Sequence, residues 1–239
     1  GSEKFGNGRR VGTLPDLDVF VGGGDPWQHL LTHRGASHSL LVLPFVAVPV
    51  GWLGWRLFGR KGRPRDWVHL AFWGLITHPL LDVCTTYGTQ LLAPFSRHRF
   101  AVDCISIVDP LYTLPLLAAL ALGLRKTAEP ARAARWARLA LAWGVGLIAL
   151  GGGWTRVAQA TFHQQLAEID FVPEHVRTPV PFFFPMLRHG AAVDAEGRIA
   201  VTTVVPWAPD RTEIVVITPD LTPRAEAALA SPRGQLTQW

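Results

Sequence analysis

The sequence is short of charge and of sulfur. Charged residues make up 17% of its 239 positions, and it contains two cysteines and one methionine. Two cysteines build neither a thiolate metal cluster nor a disulfide framework, so a metal would be held by nitrogen and oxygen donors. A glycine-rich nucleotide loop, a serine nucleophile elbow and internal repeats are also lacking, which excludes P-loop or Rossmann chemistry, α/β-hydrolase chemistry and solenoid folds. No aromatic-interleaved basic strands of an RNA-binding module occur. The net charge of +5 therefore does not point to nucleic acid.

What remains is apolar. Hydrophobic residues reach 49%, Trp occurs ten times and mean hydropathy is +0.20, high for a soluble domain but diluted for a pure membrane bundle. A mixed protein is expected. Residues 40–58 are long enough to cross a bilayer, with Pro44, Pro49 and Gly51 predicting a kink and Trp52 and Trp55 marking an interface. Arg56, Arg60, Lys61, Arg63 and Arg65 follow in one short loop, which the positive-inside tendency places in the cytoplasm. A second span over 67–81 then runs outward. A third, over 111–124, is opened by Asp109-Pro110, where Asp109 caps the helix or pairs with a nearby arginine. Arg125, Lys126, Arg132, Arg135 and Arg138 return the chain to the cytoplasm, and a fourth span, 136–153, exits.

The fold class expected is mainly α: a polytopic transmembrane helical bundle over residues 1–154 with a small β-rich extramembrane domain over 155–239. Residues 155–169 read as an amphipathic helix, followed by a Pro-rich passage over 173–185. Residues 191–193, 199–205 and 213–218 have strand composition, with Ala195-Glu196-Gly197 as a turn. Topology puts this domain outside the membrane, where it could cover a site or shape access to it.

The chain is organised around His78-Pro79-Leu80-Leu81-Asp82, an imidazole and a carboxylate one helical turn apart at the end of an apolar segment. Burying both is unfavourable unless they are satisfied, by a shared divalent cation or by hydrogen bonding to each other. Asp16 and Asp18, at i and i+2 beside Pro15, sit in a turn and serve as oxygen ligands or as a helix cap. In His33-Arg34-Gly35-Ala36-Ser37-His38-Ser39, His33 and His38 lie five apart and share no regular helix face. They converge only if Gly35 permits a turn, with Ser37 or Ser39 capping the next helix. His69 falls on the opposite side of its helix from His78 and is left out of the site. The expected metal ligands are Asp16, Asp18, His33, His38, His78 and Asp82, all at outer ends of spans or in outer loops. A His and Asp set suits Zn²⁺, Mn²⁺ or a mixed multi-metal site.

Arg97 and Arg99 lie in a loop that either attracts an anion such as phosphate or rests at lipid headgroups. Cys84 and Cys104 fall on the outer side and are either a disulfide or two buried thiols. Gly1-Ser2 without an initiator Met resembles a cloning remnant, and the abrupt passage from 3–10 into Val11-Gly12-Thr13 leads us to expect that apolar helix sequence is missing there.

Four segments together resemble the YdjM-like family of bacterial inner-membrane proteins, of the LexA-regulated type and regarded as metal-dependent hydrolases. They are Thr13-Leu14-Pro15-Asp16-Leu17-Asp18, the 33–40 segment, the 78–88 segment, and Pro94-Phe95-Ser96 with Asp109-Pro110. The passage Pro179-Val180-Pro181-Phe182-Phe183-Phe184-Pro185-Met186-Leu187 resembles the one that precedes the β-rich tail of longer members. Through the HxxxD pair that His78 and Asp82 match, the resemblance extends to zinc-dependent phospholipase C and the S1/P1 nucleases, and it implies phosphoester hydrolysis. The departure is at the amino end, where the family's apolar helices and polar or His residue have no counterpart.

The reading is thus a metal-dependent hydrolase of the bacterial inner membrane, with site and C-terminal domain extracytoplasmic and membrane lipids as neighbours. Its substrate would be a lipid or lipid-linked phosphoester. Arg34, Arg97 or Arg99 would neutralise developing charge, and His98 would shuttle a proton. The competing class is a non-catalytic membrane protein with a structural metal and a partner-binding C-terminal domain. A transporter is disfavoured because the polar residues lie at span ends.

Overall fold

The computed structural model describes residue 16 and residues 33–125 and 129–219. Its helices are α1 (Leu43–Leu57), α2 (Pro64–Val83), α3 (Pro110–Gly123) and α4 (Pro130–Glu168); the strands are β1 (Pro173–Arg177), β2 (Arg188–Asp194), β3 (Ile199–Val204) and β4 (Val215–Ile217). The described residues divide into two compact units, one built from residues 16, 33–83 and 87–101, the other from residues 84–86, 102–125 and 129–219.

The first unit is a helical hairpin. Leu43, Ala47 and Gly51 of α1 and Trp67, Ala71, Leu75 and Pro79 of α2 are the buried residues, each set spaced by four so that it forms one stripe along its helix. Gly51 brings the backbones together: a Cβ there would stand 2.6 Å from the Val68 nitrogen and 2.8 Å from the Trp67 carbonyl carbon. The stripe of α2 runs on into the turn carrying His78 and Asp82.

The second unit pairs α3 with the long helix α4, whose C-terminal part backs an antiparallel meander of order β1-β2-β3-β4. Ala158, Phe162 and Leu166, again four apart, pack with Phe171, Ala192, Ala200 and Val204 into its core. Strand β2 alternates buried and exposed residues, as a strand covered on one face must. Asp109 is the N-cap of α3, accepting from the Leu111 and Tyr112 N–H groups at 2.9 and 3.2 Å. Asp109→Ala should therefore destabilise the protein by about 1 kcal/mol in a reversible denaturation experiment.

Several expectations are altered. The span expected over 136–153 and the amphipathic helix expected over 155–169 are one helix of 39 residues. Gly151, Gly152 and Gly153 do not end it. At 1.5 Å per residue α4 is roughly 58 Å long, beyond the ~30 Å of a hydrocarbon core, so it is long enough to cross a membrane and still back the sheet with its C-terminal part. Among the described residues α4 is the helix long and apolar enough to cross a membrane, and only 11% of its apolar window is buried within the protein, unlike the core helix of a soluble domain. Of the other three expected spans, α1 and α3 are apolar but have 15 and 14 residues. α2 has 20 residues but carries Arg65, Asp66, His69, His78 and Asp82. β1 had no strand signature because it begins at Pro173 and continues through Glu174 and His175.

Candidate metal centre

Two local structures deliver the donors. The last turn of α2 presents His78 and Asp82 on one face, as their spacing requires. The segment before α1 turns sharply at Arg34, whose φ of 58° is left-handed, and continues into a short 3₁₀ turn, Ala36–His38. The residue in the left-handed region is thus Arg34 and not Gly35. This turn is tied to the loop after α2: Gln90 N–H donates to the Arg34 carbonyl at 2.9 Å, Leu40 N–H to the Leu91 carbonyl at 3.0 Å and the Ser39 hydroxyl to the Ala93 carbonyl at 2.5 Å. Ser39 also accepts from the Leu41 N–H at 3.1 Å, easing the chain into α1.

Asp16, His38, His78 and Asp82 each aim one donor atom at a common point, and these atoms all lie within 4.8 Å of one another. Asp82 Oδ2 is 3.3 Å from His38 Nε2 and 3.5 Å from His78 Nε2. Asp16 Oδ1 is 3.5 Å and 3.2 Å from the same two nitrogens. Bonds of about 2.0–2.2 Å to a tetrahedral ion place neighbouring donors roughly 3.3–3.5 Å apart, so these separations fit a divalent cation. Two imidazoles with two carboxylates form a nitrogen and oxygen donor set that could hold a metal ion. The second nitrogen of His38, Nδ1, lies 2.9 Å from the Ser37 hydroxyl, the kind of outer contact that fixes a ligand ring. His38 is fully buried, while the Asp16 side chain is 45% exposed, so the centre opens on the Asp16 side.

Cations gather around this centre. Arg34 Nη2 is 3.3 Å from Asp82 Oδ1, leaving the other carboxylate oxygen turned to the imidazoles. Arg34 and Arg99 both stack on Tyr87, with guanidinium carbons 5.1 and 5.6 Å from the ring centre. Arg99 is placed by a bridge between Thr89 and Phe100 and donates to the carbonyls of Gly88 and His33 at 3.3 and 3.2 Å. Burial holds its guanidinium below the ordinary arginine range despite the pull of Tyr87, and the charge of Arg34 acts in the same direction. Two partly buried guanidiniums thus lie against one aromatic ring close to the carboxylate of Asp82.

The other expected residues are placed as follows. Asp18 lies outside the described residues. The His33 ring stands edge-on, 6.0 Å from His38 and 5.5 Å from Tyr87, and is not in the ligand group. Arg97 and His98 are exposed, the latter with its ring 4.6 Å from Phe100. His69 is exposed on α2, away from the group. Tyr87 is the residue that sequence reasoning undervalued. Its signal was an aromatic ring in the polar run Thr85-Thr86-Tyr87-Gly88 directly after the His78 and Asp82 pair.

In the second unit, Cys84 and Cys104 are not joined in a disulfide. The Cys104 N–H donates to the Cys84 carbonyl at 2.8 Å. Hydrogen bonding to Cys84 and burial push the Cys104 thiol up, away from thiolate chemistry.

Comparison with known proteins agrees with the sequence resemblance. An uncharacterized protein of Bacillus subtilis (strain 168), YfhP, is 29% identical over 111 residues, which cover 45% of this chain and 33% of the relative. The match thus spans about a third of that protein's length. No solved structure matches, and the expected likeness to zinc-dependent phospholipase C and the S1/P1 nucleases is not shown. The model of the YdjM inner membrane protein family matches residues 8–160, a range that holds every donor of the metal centre, and the chain belongs to that family.

Proposed function

We propose that the protein is a membrane-bound metal-dependent hydrolase acting on a phosphoester of a lipid or lipid-linked substrate at the outer face of the inner membrane. The observation that carries this reading is the juxtaposition of two groups: the Asp16, His38, His78 and Asp82 donors, and the Arg34 and Arg99 pair on Tyr87 beside Asp82. A divalent ion bound at the donors supplies Lewis acidity and lowers the pKa of a water. Asp82, shared between Arg34 and the two imidazoles, couples ligand and anion sites. Arg34 and Arg99 bind the phosphoryl oxygens and balance the charge that grows on them. Arg97 adds positive charge from the loop, and His98, exposed on the same loop, gives a proton to the leaving alkoxide.

Topology supports the lipid substrate. Arg56, Arg60, Lys61, Arg63 and Arg65 cluster where α1 ends and α2 begins, at the opposite end of the hairpin from His78 and Asp82. In the multi-pass arrangement proposed here, the positive-inside tendency assigns that loop to the cytoplasm and the metal centre to the outer face. Purified protein should then contain Zn²⁺ or Mn²⁺ near one equivalent and release phosphate or a phosphorylated headgroup from phospholipid or undecaprenyl-type phosphate vesicles. Soluble phosphoesters should be poorer substrates. Bound metal with no turnover on any of these would replace this reading with a structural metal in a non-catalytic membrane protein.

A further inference from the structure

Residues 178–187, between β1 and β2, contain no charged side chain. Phe182, Phe183, Phe184 and Met186 are 50%, 55%, 67% and 59% exposed there, an apolar display in a segment otherwise made of prolines and small turns. Solvent exposure of four such side chains in five residues is unfavourable for a surface facing water.

The backbone beneath them is held from inside. The Ser106 hydroxyl donates to the Pro181 carbonyl at 2.9 Å, the Trp154 indole to Met186 at 2.8 Å and the Leu187 N–H to Phe184 at 3.2 Å. Arg188, fully buried, donates to the carbonyls of Pro185 and Leu187. The prolines bring no N–H needing a partner. The loop thus presents apolar side chains outward while the carbonyls of Pro181, Phe184, Pro185, Met186 and Leu187 are bonded within the protein, which lowers the cost of bringing the segment to an apolar phase.

Height is set by Trp154. Between Arg138 and Arg156 helix α4 carries no charged residue, so Trp154 stands where its apolar stretch ends. The indole is also stacked on Trp207, ring centres 5.9 Å apart, and Trp207 is 58% exposed. An indole at a span terminus that grips the loop fixes the loop at the same level as the bilayer boundary, where aromatic residues gather.

We infer that the 181–187 loop is a membrane anchor, with Phe182, Phe183, Phe184 and Met186 entering the headgroup and acyl boundary of the leaflet in which the apolar stretch of α4 ends. The β-sheet unit is thereby held against the bilayer at a second point besides its helix. This inference does not depend on the hydrolase reading.

The test places 4-trifluoromethyl-phenylalanine at Phe184, at Val145 within the apolar stretch of α4 and at Glu196 in the β2–β3 turn, one position at a time in the full chain. Each protein is reconstituted in nanodiscs of phosphatidylethanolamine and phosphatidylglycerol. Fluorine relaxation is measured with a doxyl lipid and, separately, with an aqueous gadolinium chelate. At Phe184 the lipid probe should act several-fold more strongly than the aqueous one, as at Val145, and at Glu196 the order should reverse. Aqueous exposure at Phe184 equal to that at Glu196 would overturn the anchor. So would shielding from both probes, which would mean that a second copy of the chain covers the loop. A fluorine at Val145 that the lipid probe leaves untouched would remove α4 as the span and the inference with it.

Discussion

Asp82→Asn should fold as the wild type does and lose its metal. The substitution keeps the shape of the side chain and removes its charge, at a carboxylate that stands 3.3 and 3.5 Å from the two imidazole nitrogens and 3.3 Å from Arg34. With the charge gone, Arg34 faces a neutral amide, and its positive field adds to the loss by opposing a cation at the same point. Outer-shell changes alone typically weaken metal binding 10–100-fold, so removal of an anionic ligand should lower affinity by roughly 100-fold or more. The packing of α2 rests on Trp67, Ala71, Leu75 and Pro79 and is untouched by the change. Circular dichroism of the metal-free proteins should therefore coincide. The metal-dependent rise in stability, about 2.7 kcal/mol when free ion exceeds its dissociation constant 100-fold, should vanish in the variant. His78→Ala should behave in the same way, and His69→Ala, an exposed position on the same helix, should change neither quantity. Retention of wild-type metal content by both Asp82→Asn and His78→Ala, measured by elemental analysis after gel filtration, would sink the metal centre and the hydrolase reading with it.

How far this site was legible in the sequence differs from residue to residue. The His78 and Asp82 pair needed only the period of a helix, because both ligands share one local element. Selecting His38 over His33 needed the left-handed Arg34 and the 3₁₀ turn that follows, which no periodicity announces. Asp16 joins from a distant stretch, so spacing could nominate it but not place it. The arginines were nominated by charge, whereas their common platform on Tyr87 depends on the loop closed by Thr89 and Phe100. The same division holds for the fold. Helices and the β2 to β4 strands follow apolar runs and strand composition to within a few residues, and the Asp109 cap follows from Asp-Pro ahead of an apolar run. Failures occurred where tertiary contact overrides local preference: β1, a polar strand opened by a proline and paired with β2, and the unbroken passage of α4 through three glycines.

That glycine run carries the second large effect. Gly151→Ala should destabilise the protein strongly, while Gly153→Ala should be neutral or slightly stabilising, although both replace glycine in the same helical turn. A Cβ on Gly151 would overlap the Cys104 carbonyl oxygen and stand 2.9 Å from the carbonyl carbon, both backbone atoms that cannot swing aside. Thr155, one turn on, fixes that backbone further: its hydroxyl lies 2.6 Å from the Asp103 carbonyl and 3.0 Å from the Gly151 carbonyl. Asp103, in turn, is left-handed with φ 54° and is clasped by Arg177 at 3.0 Å, so the 103–104 segment has little room to retreat. At Gly152 a Cβ would meet only the Cys104 sulfur at 3.5 Å, an ordinary contact, and at Gly153 nothing lies within 4 Å. Alanine exceeds glycine in helix propensity by about 1 kcal/mol, which all three positions gain, but overpacking of the backbone at Gly151 outweighs it, typically by 1–3 kcal/mol or more. The three melting temperatures should therefore fall in the order Gly153→Ala, Gly152→Ala, Gly151→Ala, the last below wild type by on the order of 5 °C. Gly151→Ala melting at or above wild type would mean that α4 does not approach Cys104 this closely. The three glycines would then act as a hinge between the span and the sheet instead of a seat for the Cys104 backbone.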